Sequence, residues 1–585
     1  MAPVFKSLVS VNPKENHLQI SSPIYSHQVI SASSGMVVAQ HKQAAKIGVE
    51  VLQRGGNAVD AAVTTAFATG VLLPIWNGIG GGGVMIVHID GGDGGSIDFG
   101  MQAPGLAHAN MYEVETGPEG LDVQGPSRRF SWPKVKDKAN VEGYKSISIP
   151  GTVAGLTTAL EKWGTIDLDQ AIAPAIRIAR DGFPLSRTVA LTMAAGHARL
   201  SRFKVTADLY LNDGSPYGPG DHFVQAEHAE TLERLARNGA SEMYGGETGA
   251  RIAEDVEKNG GFLRLSDFEQ YRPIVREHGL TGRYRGFDLT GVGGPCGGPT
   301  ALEILHILDQ FDLAAMRHGS ADFLHTLIEA VKLAAVDRFS FIGDPAIYGF
   351  PIDSLADPDY AKSRATGIDM SAATEFSPGD PWPFAGVIRP ANFPAQAGSA
   401  PDDGTTHITT ADKHGNMVAL TQTNVGYSGV VNPGVGVMMN NAMSWSVPTP
   451  GTVNSIAPLA RALNNMTPMI VHENGGAVMA VGGSGGRRIW GAVVQVIVNH
   501  LDFGMGLQQA IEQPRFHVES DDPVIDPRFG DDVLLDLKRL GHDYKLPPEE
   551  FVLWPFAEPN GIVRDGGVWK SGLSPLFKPA HAAGY

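Results

Sequence analysis

The feature that most constrains the fold is a predicted β-hairpin that begins just after Thr405. Residues 406–410 read Thr-His-Ile-Thr-Thr, and a second strand is predicted at residues 417–423. Between them, residues 412–416 read Asp-Lys-His-Gly-Asn, a composition typical of a tight turn. The preceding residues 390–403 are rich in Pro, Ala and Asp, which predicts an irregular segment. Thr405 therefore stands where a loop enters a buried hairpin.

Thr405 would acquire a specific chemistry if the peptide bond between Gly404 and Thr405 were cut. A threonine at a new N-terminus carries a hydroxyl and a free α-amine on one residue, so it holds both a nucleophile and a base. Alternatively, Thr405 and Thr406 are ordinary β-forming residues at the start of a strand. Taken alone, the stretch favours this second interpretation.

Composition restricts the class of protein and its partners. With 585 residues, 43% of them hydrophobic, the chain can bury a sizeable core. Its 62 acidic residues outnumber its 45 basic residues, and the net charge of −17 argues against nucleic acid as a partner. The first residues do not resemble a signal peptide, and no apolar run reaches transmembrane length. A soluble, cytoplasmic protein without a membrane partner is therefore expected.

No metal or other cofactor is expected from the sequence. Cys296 is the single cysteine, which excludes an intramolecular disulfide and a cysteine-based zinc cluster, and it is interpreted as a packed thiol. The 19 histidines are scattered, without a His-x-x-x-His pair beside a helical acid. His407 lies close to Thr405, but we interpret it as a structural hydrogen-bonding residue.

Periodicity predicts a helix-rich part before Thr405 and a strand-rich part after it. The predicted helices cover residues 43–53, 58–73, 152–163, 166–180, 227–238, 248–259, 299–311, 321–339 and 489–501. The predicted strands, besides the hairpin, lie within residues 34–40, 84–88, 146–149, 284–292, 434–440 and 476–481.

Two glycine runs have different expected roles. The run 80–83 follows a helix, precedes a strand and has no lysine after it, so it does not fit a phosphate-binding loop and instead predicts a close backbone approach. The run in residues 482–486 precedes a helix, whose first N–H groups are unpaired and could stabilise an oxyanion. The alternative is a plain helix-entry turn, which the glycines alone slightly favour.

Several collinear motifs resemble the γ-glutamyltranspeptidases, a family of N-terminal-nucleophile hydrolases, from about residue 34 onward. The matching stretches are 55–62, 80–83, 150–155, 179–183, 405–407, 412–413, 415–416 and 514–516. The resemblance implies an α+β fold, a four-layer αββα sandwich made as one precursor that cuts itself between Gly404 and Thr405. Residues 1–33 would be an N-terminal extension, 34–404 a large subunit and 405–585 a small subunit, which remain associated with each other. Higher oligomers are left open.

The resemblance also assigns catalytic roles. Thr405 would be the nucleophile, with its own α-amine as the base, and Thr423 matches a second threonine whose hydroxyl contacts the nucleophile. Gly485 and Gly486 match the pair whose N–H groups form the oxyanion hole. Thr421, two residues before Thr423 and on the same strand face, is a candidate substrate contact.

The substrate-binding positions depart from the family pattern. Gly100 stands where the family has an arginine that binds the substrate's α-carboxylate, and Trp445 stands where it has an aspartate that binds the α-amino group. Asn464 and Asn465 replace a serine pair, and Ala442 replaces a glutamine. Each lost charged hydrogen bond is worth roughly 1.5–3 kcal/mol. Losing two should reduce specificity for a γ-glutamyl group by on the order of a hundredfold or more.

New side chains at this site leave two interpretations open. Trp445 would form a flat apolar wall, while Asn464 and Asn465 could donate hydrogen bonds to a substrate. Arg487, where the family has a serine, could pair with an acidic group of a smaller acyl chain. Alternatively, Arg487 is a helix-entry residue bonded to a neighbouring loop.

The sequence therefore predicts a self-processing hydrolase of a small-molecule amide without the γ-glutamyl head group, resembling an oxamate or glutaryl amide. The alternatives are a γ-glutamyl hydrolase or transpeptidase with an altered pocket, and a catalytically silent relative. The sequence does not determine whether water or an amine accepts the acyl group.

Overall fold

Two seven-stranded antiparallel sheets lie at the centre of the protein in a computed structural model that describes residues 27–115, 133–394, 404–519, 522–547, 556–575 and 579–585. The first sheet has the order β20 (His581–Gly584), β2 (Met36–Ala39), β12 (Thr406–Ala411), β13 (Met417–Thr423), β3 (Gly82–His88), β4 (Gly95–Phe99), β9 (Ile274–Arg276). The second sheet has the order β1 (Ser31–Ala32), β19 (Val568–Leu573), β18 (Glu558–Asp565), β15 (Gly476–Ser484), β14 (Met469–Glu473), β11 (Phe287–Gly291), β10 (Leu280–Tyr284). Three short pairs complete the strands: β5 (Phe183–Pro184) with β8 (His222–Phe223), β6 (Leu211–Asn212) with β7 (Ser215–Pro216), and β16 (Phe516–His517) with β17 (Val524–Ile525).

Helices cover the outer face of each sheet. Before Thr405 they are α1 (Lys42–Gln53), α2 (Ala58–Leu72), α3 (Thr152–Trp163), α4 (Leu168–Asp181), α5 (Arg187–Ala195), α6 (His197–Leu200), α7 (Lys204–Tyr210), α8 (Ala226–Asn238), α9 (Glu247–Lys258), α10 (Leu265–Gln270), α11 (Gly298–Leu308), α12 (Ala321–Phe341), α13 (Pro345–Tyr348) and α14 (Pro358–Ala365). After it they are α15 (Ile489–Leu501), α16 (Leu507–Glu512) and α17 (Asp531–Arg539). None of the helices in the described ranges is long and apolar enough to cross a lipid bilayer.

Side chains alternate between two cores along each central strand. In β2, Val37 packs with the helices on the outer face of the first sheet, whereas Val38 faces the second sheet. In β15, Met479 packs with helices including α11 and α15, whereas Ala480 faces the first sheet. Successive side chains of a strand point to opposite faces of its sheet, so each central strand contributes side chains to both cores. The protein is an α+β, four-layer αββα sandwich, which confirms the predicted fold class.

The predicted hairpin is confirmed as β12 and β13, in the middle of the first sheet. β12 pairs with β2 on one side, and β13 pairs with β3 on the other. The turn is fixed by Asp412, whose carboxylate accepts hydrogen bonds from the N–H groups of Ala58 (2.9 Å) and His414 (2.8 Å). Because both sheets contain strands from either side of Gly404, neither part of the chain completes a sheet alone.

Most predicted helices are confirmed to within two or three residues, but two predicted strands are wrong. Instead of a strand at 146–149, the chain has a 3₁₀ turn at Tyr144–Ser146, and Ile149 makes an isolated bridge. Residues 434–440 also form no strand, because Gly434 and Gly436 have φ angles of 67° and 69° and turn the chain.

Three further predictions differ from the structure in their bounds or lie partly outside the described residues. The predicted strand at 284–292 merged the end of β10, a turn at Gly286 and the whole of β11. Residues 1–26 of the predicted extension and residues 395–403 of the predicted loop lie outside the described residues. Ser31–Ala32, within the predicted extension, form β1 and pair with β19.

A buried carboxyl pair between the helices of the second sheet predicts a pH-dependent stability. Asp337 accepts hydrogen bonds from the Tyr360 hydroxyl (2.6 Å) and the Arg364 guanidinium (2.8 Å). Glu303 is fully buried nearby, and its burial, followed by the charge of Asp337, raises its pKa well above the ordinary value. The folded protein therefore keeps the Glu303 proton at a pH where the unfolded chain has released it.

We expect the stability that this proton provides to fall as pH rises from the ordinary glutamate pKa towards the raised one. The substitution Glu303→Gln removes this dependence, so its melting temperature relative to wild type should increase steadily between about pH 5 and 9. Differential scanning calorimetry at several pH values measures this difference. Glu50→Gln, whose side chain is 56% exposed, is the control and should follow wild type. A difference for Glu303→Gln that does not change with pH would contradict the prediction.

Candidate active site

Two threonine hydroxyls converge on the carbonyl oxygen of Gly404. Thr405 is buried immediately before β12, and its Oγ1 donates a hydrogen bond to that oxygen at 2.8 Å. Thr423, the last residue of β13, donates a hydrogen bond from its Oγ1 to the same oxygen. The amide N–H of Val425 donates to Thr423 Oγ1 at 2.7 Å, which leaves the Thr423 proton to point at Gly404. The carbonyl before Thr405 is thus polarised by its surroundings.

Only glycine fits before Thr405. A Cβ atom at residue 404 would lie 1.9 Å from the carbonyl oxygen of Val425. Val425 itself has a φ angle of 64°, the left-handed region that a β-branched residue rarely adopts. The chain after β13 therefore turns sharply against Gly404 and closes this side of the site.

Thr421 and the residue opposite it in the hairpin, His407, are hydrogen-bonded to each other. His407 lies opposite Thr421, and its Nδ1 is 2.8 Å from Thr421 Oγ1. Its Nε2 is 3.1 Å from Thr409 Oγ1, and burial lowers the pKa of His407 to about 3. His407 is therefore a neutral hydrogen-bonding residue, as predicted. The contact of Thr421 with His407 was not predicted.

A glutamine joins the start of β12 to the end of β15. Gln40 accepts a hydrogen bond from the His407 N–H (2.9 Å) and donates one to Ser484 Oγ (2.6 Å). A Cβ at Gly482 would lie 2.2 Å from the His407 ring, so the two sheets approach closely here. Sequence reasoning missed Gln40 and Ser484, since neither belongs to a recognisable motif.

The glycine turn follows directly on Ser484. Gly485 and Gly486 have φ angles of 123° and 60°, which strongly favour glycine. A 3₁₀ turn at Gly486–Arg488 then leads into α15, as expected for a helix-entry turn. Through Gln40, this turn is held at the same end of the molecule as Thr405.

Ala442 and Trp445, where the family pattern is lost, belong to the apolar core between the two sheets, and this core reaches Gly404 through Val425. Its buried members include Val425, Ala442, Trp445, Met466 and Cys296. Trp445 is 4% exposed, and its Nε1 has no hydrogen-bond acceptor among the described residues. The Cys296 thiol donates to the Val292 carbonyl oxygen at 2.9 Å, and burial raises its pKa to about 12, in agreement with a packed thiol.

The two adjacent asparagines differ in the hydrogen bonds that they make. Asn464 donates from Nδ2 to the carbonyl oxygen of Pro295 (2.9 Å) and accepts from the N–H of Met466 (3.1 Å). Asn465 accepts from Arg338 at 3.0 Å, but its Nδ2 has no acceptor among the described residues. Asn465 is therefore the asparagine with a donor available.

Gly100 leaves no side chain at the end of β4, but another arginine lies nearby. The Arg461 guanidinium has its Nε 3.8 Å from Asp98 Oδ1 and donates to the Arg272 carbonyl oxygen at 2.7 Å. Asp98 also accepts from the Gly100 N–H at 2.8 Å. The charge of Arg461 is compensated by Asp98, and sequence reasoning missed this pair because its members are far apart along the chain.

Arg487 has a partner within the protein. Its Nε lies 3.2 Å from Oε1 of Glu519, which is fully buried. Burial alone would raise the pKa of Glu519, but Arg487, followed by His517 and Arg338, holds that pKa below its ordinary value. This arrangement corresponds to the alternative interpretation of Arg487, a helix-entry residue bonded to a neighbouring loop.

One group in the described part of the chain has the composition of a metal site. His325, Glu329 and His542 are buried, with ligand atoms within 4.8 Å of one another. His325 Nδ1 is hydrogen-bonded to His542 Nε2 at 2.7 Å, and Glu329 accepts from the Lys332 ammonium at 2.8 Å. Because every ligand already has a protein partner and Lys332 adds a positive charge, these residues do not fit a cation, and no metal is assigned.

The two packed sheets with helices on both outer faces are the four-layer arrangement of the N-terminal-nucleophile hydrolases. The gamma-glutamyltranspeptidase family model matches residues 44–575, and the chain belongs to this family. It is thus an amide hydrolase of a family whose members are made as self-processing precursors.

Named relatives and a solved structure agree with this assignment. The Acylase ACY 1 proenzyme of Pseudomonas sp. (strain V22) is 35% identical over 554 residues, which cover 93% of this chain and 94% of the relative. The glutathione hydrolase proenzyme of Escherichia coli (strain K12) is 33% identical over 533 residues, covering 88% and 87%. The crystal structure of cephalosporin acylase from Bacillus halodurans is 27% identical and has a TM-score of 0.82, covering 99% of both chains.

The hydrogen bond from Thr423 to Gly404 leads to a prediction about precursor processing. We expect Thr423→Val to slow self-cleavage by at least about tenfold, because the attacked carbonyl loses a donor that would stabilise its developing negative charge. Thr423→Ser keeps the hydroxyl and is the matched control. The fraction of uncut chain during incubation, measured by intact mass spectrometry, tests this. Equal processing rates for the Val and Ser variants would contradict it.

Proposed function

We propose that the chain cuts itself between Gly404 and Thr405, and that Thr405 then hydrolyses a small acyl amide that lacks the γ-glutamyl head group. In the first step Thr405 Oγ1 bonds to the carbonyl carbon of Gly404 and the Gly404–Thr405 C–N bond breaks. The freed nitrogen takes the hydroxyl proton and becomes the α-amine of Thr405. Water then hydrolyses the resulting ester and releases the Gly404 carboxylate. The convergence of Thr405 and Thr423 on the Gly404 carbonyl supports this step.

In the mature enzyme the same hydroxyl attacks the substrate amide. The α-amine of Thr405, with an ordinary pKa of about 7.7–8.0, accepts the proton and passes it to the leaving amine. An acyl ester on Thr405 forms, and water resolves it. The N–H groups of Gly485 and Gly486 would bind the oxyanion, while the hydroxyl of Thr423 holds the nucleophile in place.

The observation that carries the substrate proposal is that Trp445 belongs to the apolar core between the sheets, which also contains Val425 beside Gly404. A zwitterionic γ-glutamyl head needs an anion and a cation as partners, and Trp445, Ala442 and Met466 offer neither. Burying the α-ammonium group there without an anionic partner would be costly. The names of two relatives, Acylase ACY 1 and cephalosporin acylase, agree with an acyl group of another kind.

Two buried donors could orient such an acyl group. Trp445 Nε1 and Asn465 Nδ2 have no acceptor among the described residues, and a buried donor normally has one. A carbonyl or carboxylate oxygen of an oxamate- or glutaryl-like acyl chain would satisfy them. The hydroxyl of Thr421 and the amide of Asn464 have protein partners and would act by shaping the pocket.

The role of Thr405 is tested by substitution. We expect Thr405→Ala to abolish both self-cleavage and amide turnover, because it removes the hydroxyl that both reactions use. Thr405→Ser keeps a hydroxyl and should retain both activities at a reduced rate. Gel electrophoresis measures the cleavage and release of an anilide measures the turnover. A Thr405→Ala protein that still hydrolysed the substrate would exclude this mechanism.

The substrate class is tested with a matched pair of anilides, γ-glutamyl and glutaryl, which differ only in the α-amino group. We expect the glutaryl compound to have the higher kcat/KM by at least about tenfold, or ammonia release from oxamate to exceed γ-glutamyl turnover. Clear preference for γ-glutamyl would instead support the activity named for the glutathione hydrolase relatives. Adding an amine such as glycylglycine to each reaction separates hydrolysis from transfer.

A further inference from the structure

A buried ion pair lies directly beside the proposed oxyanion turn. Arg487, the residue after Gly486, is 6% exposed, and its partner Glu519 is 0% exposed. Glu519 follows the short strand β16, whereas Arg487 leads into α15. The pair therefore connects the 3₁₀ turn before that helix to a separate segment of the chain.

Glu519 depends on Arg487 for its charge balance. Neither carboxylate oxygen of Glu519 makes a well-formed hydrogen bond to a described residue. His517 is also close, with its Nε2 3.7 Å from Oε1. In a dry environment an anion without hydrogen bonds is stabilised mainly by the opposite charge next to it. Moving Arg487 towards a substrate would leave this anion unbalanced.

Arg488 fixes the other side of the same turn. Its Nε donates to the Gly485 carbonyl oxygen at 2.8 Å. In a planar trans peptide the C=O and the following N–H point in opposite directions. The bond to Arg488 therefore sets the direction of the Gly486 N–H. Since glycine has no side chain to pack, these arginines provide anchors that Gly485 and Gly486 themselves lack.

We propose that Glu519 and Arg487 are positioning residues that hold the Gly486 N–H in its catalytic orientation. The inference rests on the proposed hydrolysis at Thr405. Because Arg487 follows Gly486 directly, fixing its side chain restricts the peptide that carries the oxyanion donor. Such a donor must lie within a short distance of the developing charge to lower the barrier. In this proposal Arg487 orients the glycine turn and does not bind the acyl chain.

The test compares Glu519→Gln, Arg487→Met and the double variant. In each single variant we expect kcat to fall by at least about tenfold, because the donor shifts, while KM changes by less than about threefold. The double variant should recover part of the loss, because no buried charge is left unpaired. Self-cleavage should proceed in all three, since the Gly404 carbonyl receives its hydrogen bond from Thr423.

A matched control removes an exposed ion pair. Arg54 and Glu50 lie 3.7 Å apart with side chains 79% and 56% exposed. Arg54→Met with Glu50→Gln should leave kcat and KM at wild-type values. If Arg487→Met does not fold, Glu519→Gln and the double variant decide the question. A raised KM with unchanged kcat in an Arg487 variant, or an unchanged kcat in Glu519→Gln, would overturn the proposal.

A second readout separates this inference from the proposed substrate class. Acylation of Thr405 by p-nitrophenyl acetate, followed by the mass of the small fragment, requires the oxyanion donors but no particular acyl pocket. If the wild type hydrolyses none of the amides yet Thr405 is acylated, the proposed substrate class fails. Slower acylation in Glu519→Gln would then still support the positioning role, and an unchanged rate would overturn it.

Discussion

The shared hydrogen bonding of the Gly404 carbonyl oxygen by Thr405 and Thr423 is the interaction on which the rest of the site depends. Thr405 immediately precedes β12 and Thr423 ends the adjacent strand β13, so their distance is set by the pairing of these two strands. Both strands are interior strands of the first sheet and are bonded on both edges. A hairpin held in this way cannot change its register without moving every side chain to the opposite face. The sheet therefore provides the precision that a reaction at one peptide bond needs.

The approach of the two sheets extends this constraint to the glycine turn. Gly482 allows β15 to pass against the His407 ring, and Gln40 joins the two strands by hydrogen bonds. His407 is neutral, so this contact adds no charge to a layer that is mostly apolar. A charged side chain there would have to be compensated or would separate the sheets. The position of the turn relative to Thr405 follows from this neutral contact.

Local patterns predicted the elements, whereas the contacts between distant segments were not predicted. The hairpin has an alternating pattern, the helices α2, α3, α12 and α15 are long runs rich in apolar residues, and the structure confirms them. The partner of Arg487 was not predicted because two helices and a short strand separate Glu519 from it along the chain. Gln40 belongs to no recognisable motif, and its partners His407 and Ser484 are also far away along the chain. Residues 434–440 were misassigned because their valines favour a strand, while the positive φ angles of two glycines prevent one.

Several of the proposed catalytic groups are main-chain groups, whereas the proposed substrate contacts are side chains. This division would allow the substrate preference to change while the catalytic groups are kept. The oxyanion donors would be amide N–H groups and the base an α-amine, and substitutions of side chains do not remove these groups. Recognition would instead depend on side chains in loops and turns, such as Trp445 and Asn465, which lie outside the strands. Loops tolerate replacement better than interior strands do. A tryptophan in place of the family's aspartate at such a position would alter the acyl pocket. The strands β12 and β13 and the glycine turn would keep their geometry, since their hydrogen bonds do not involve this residue.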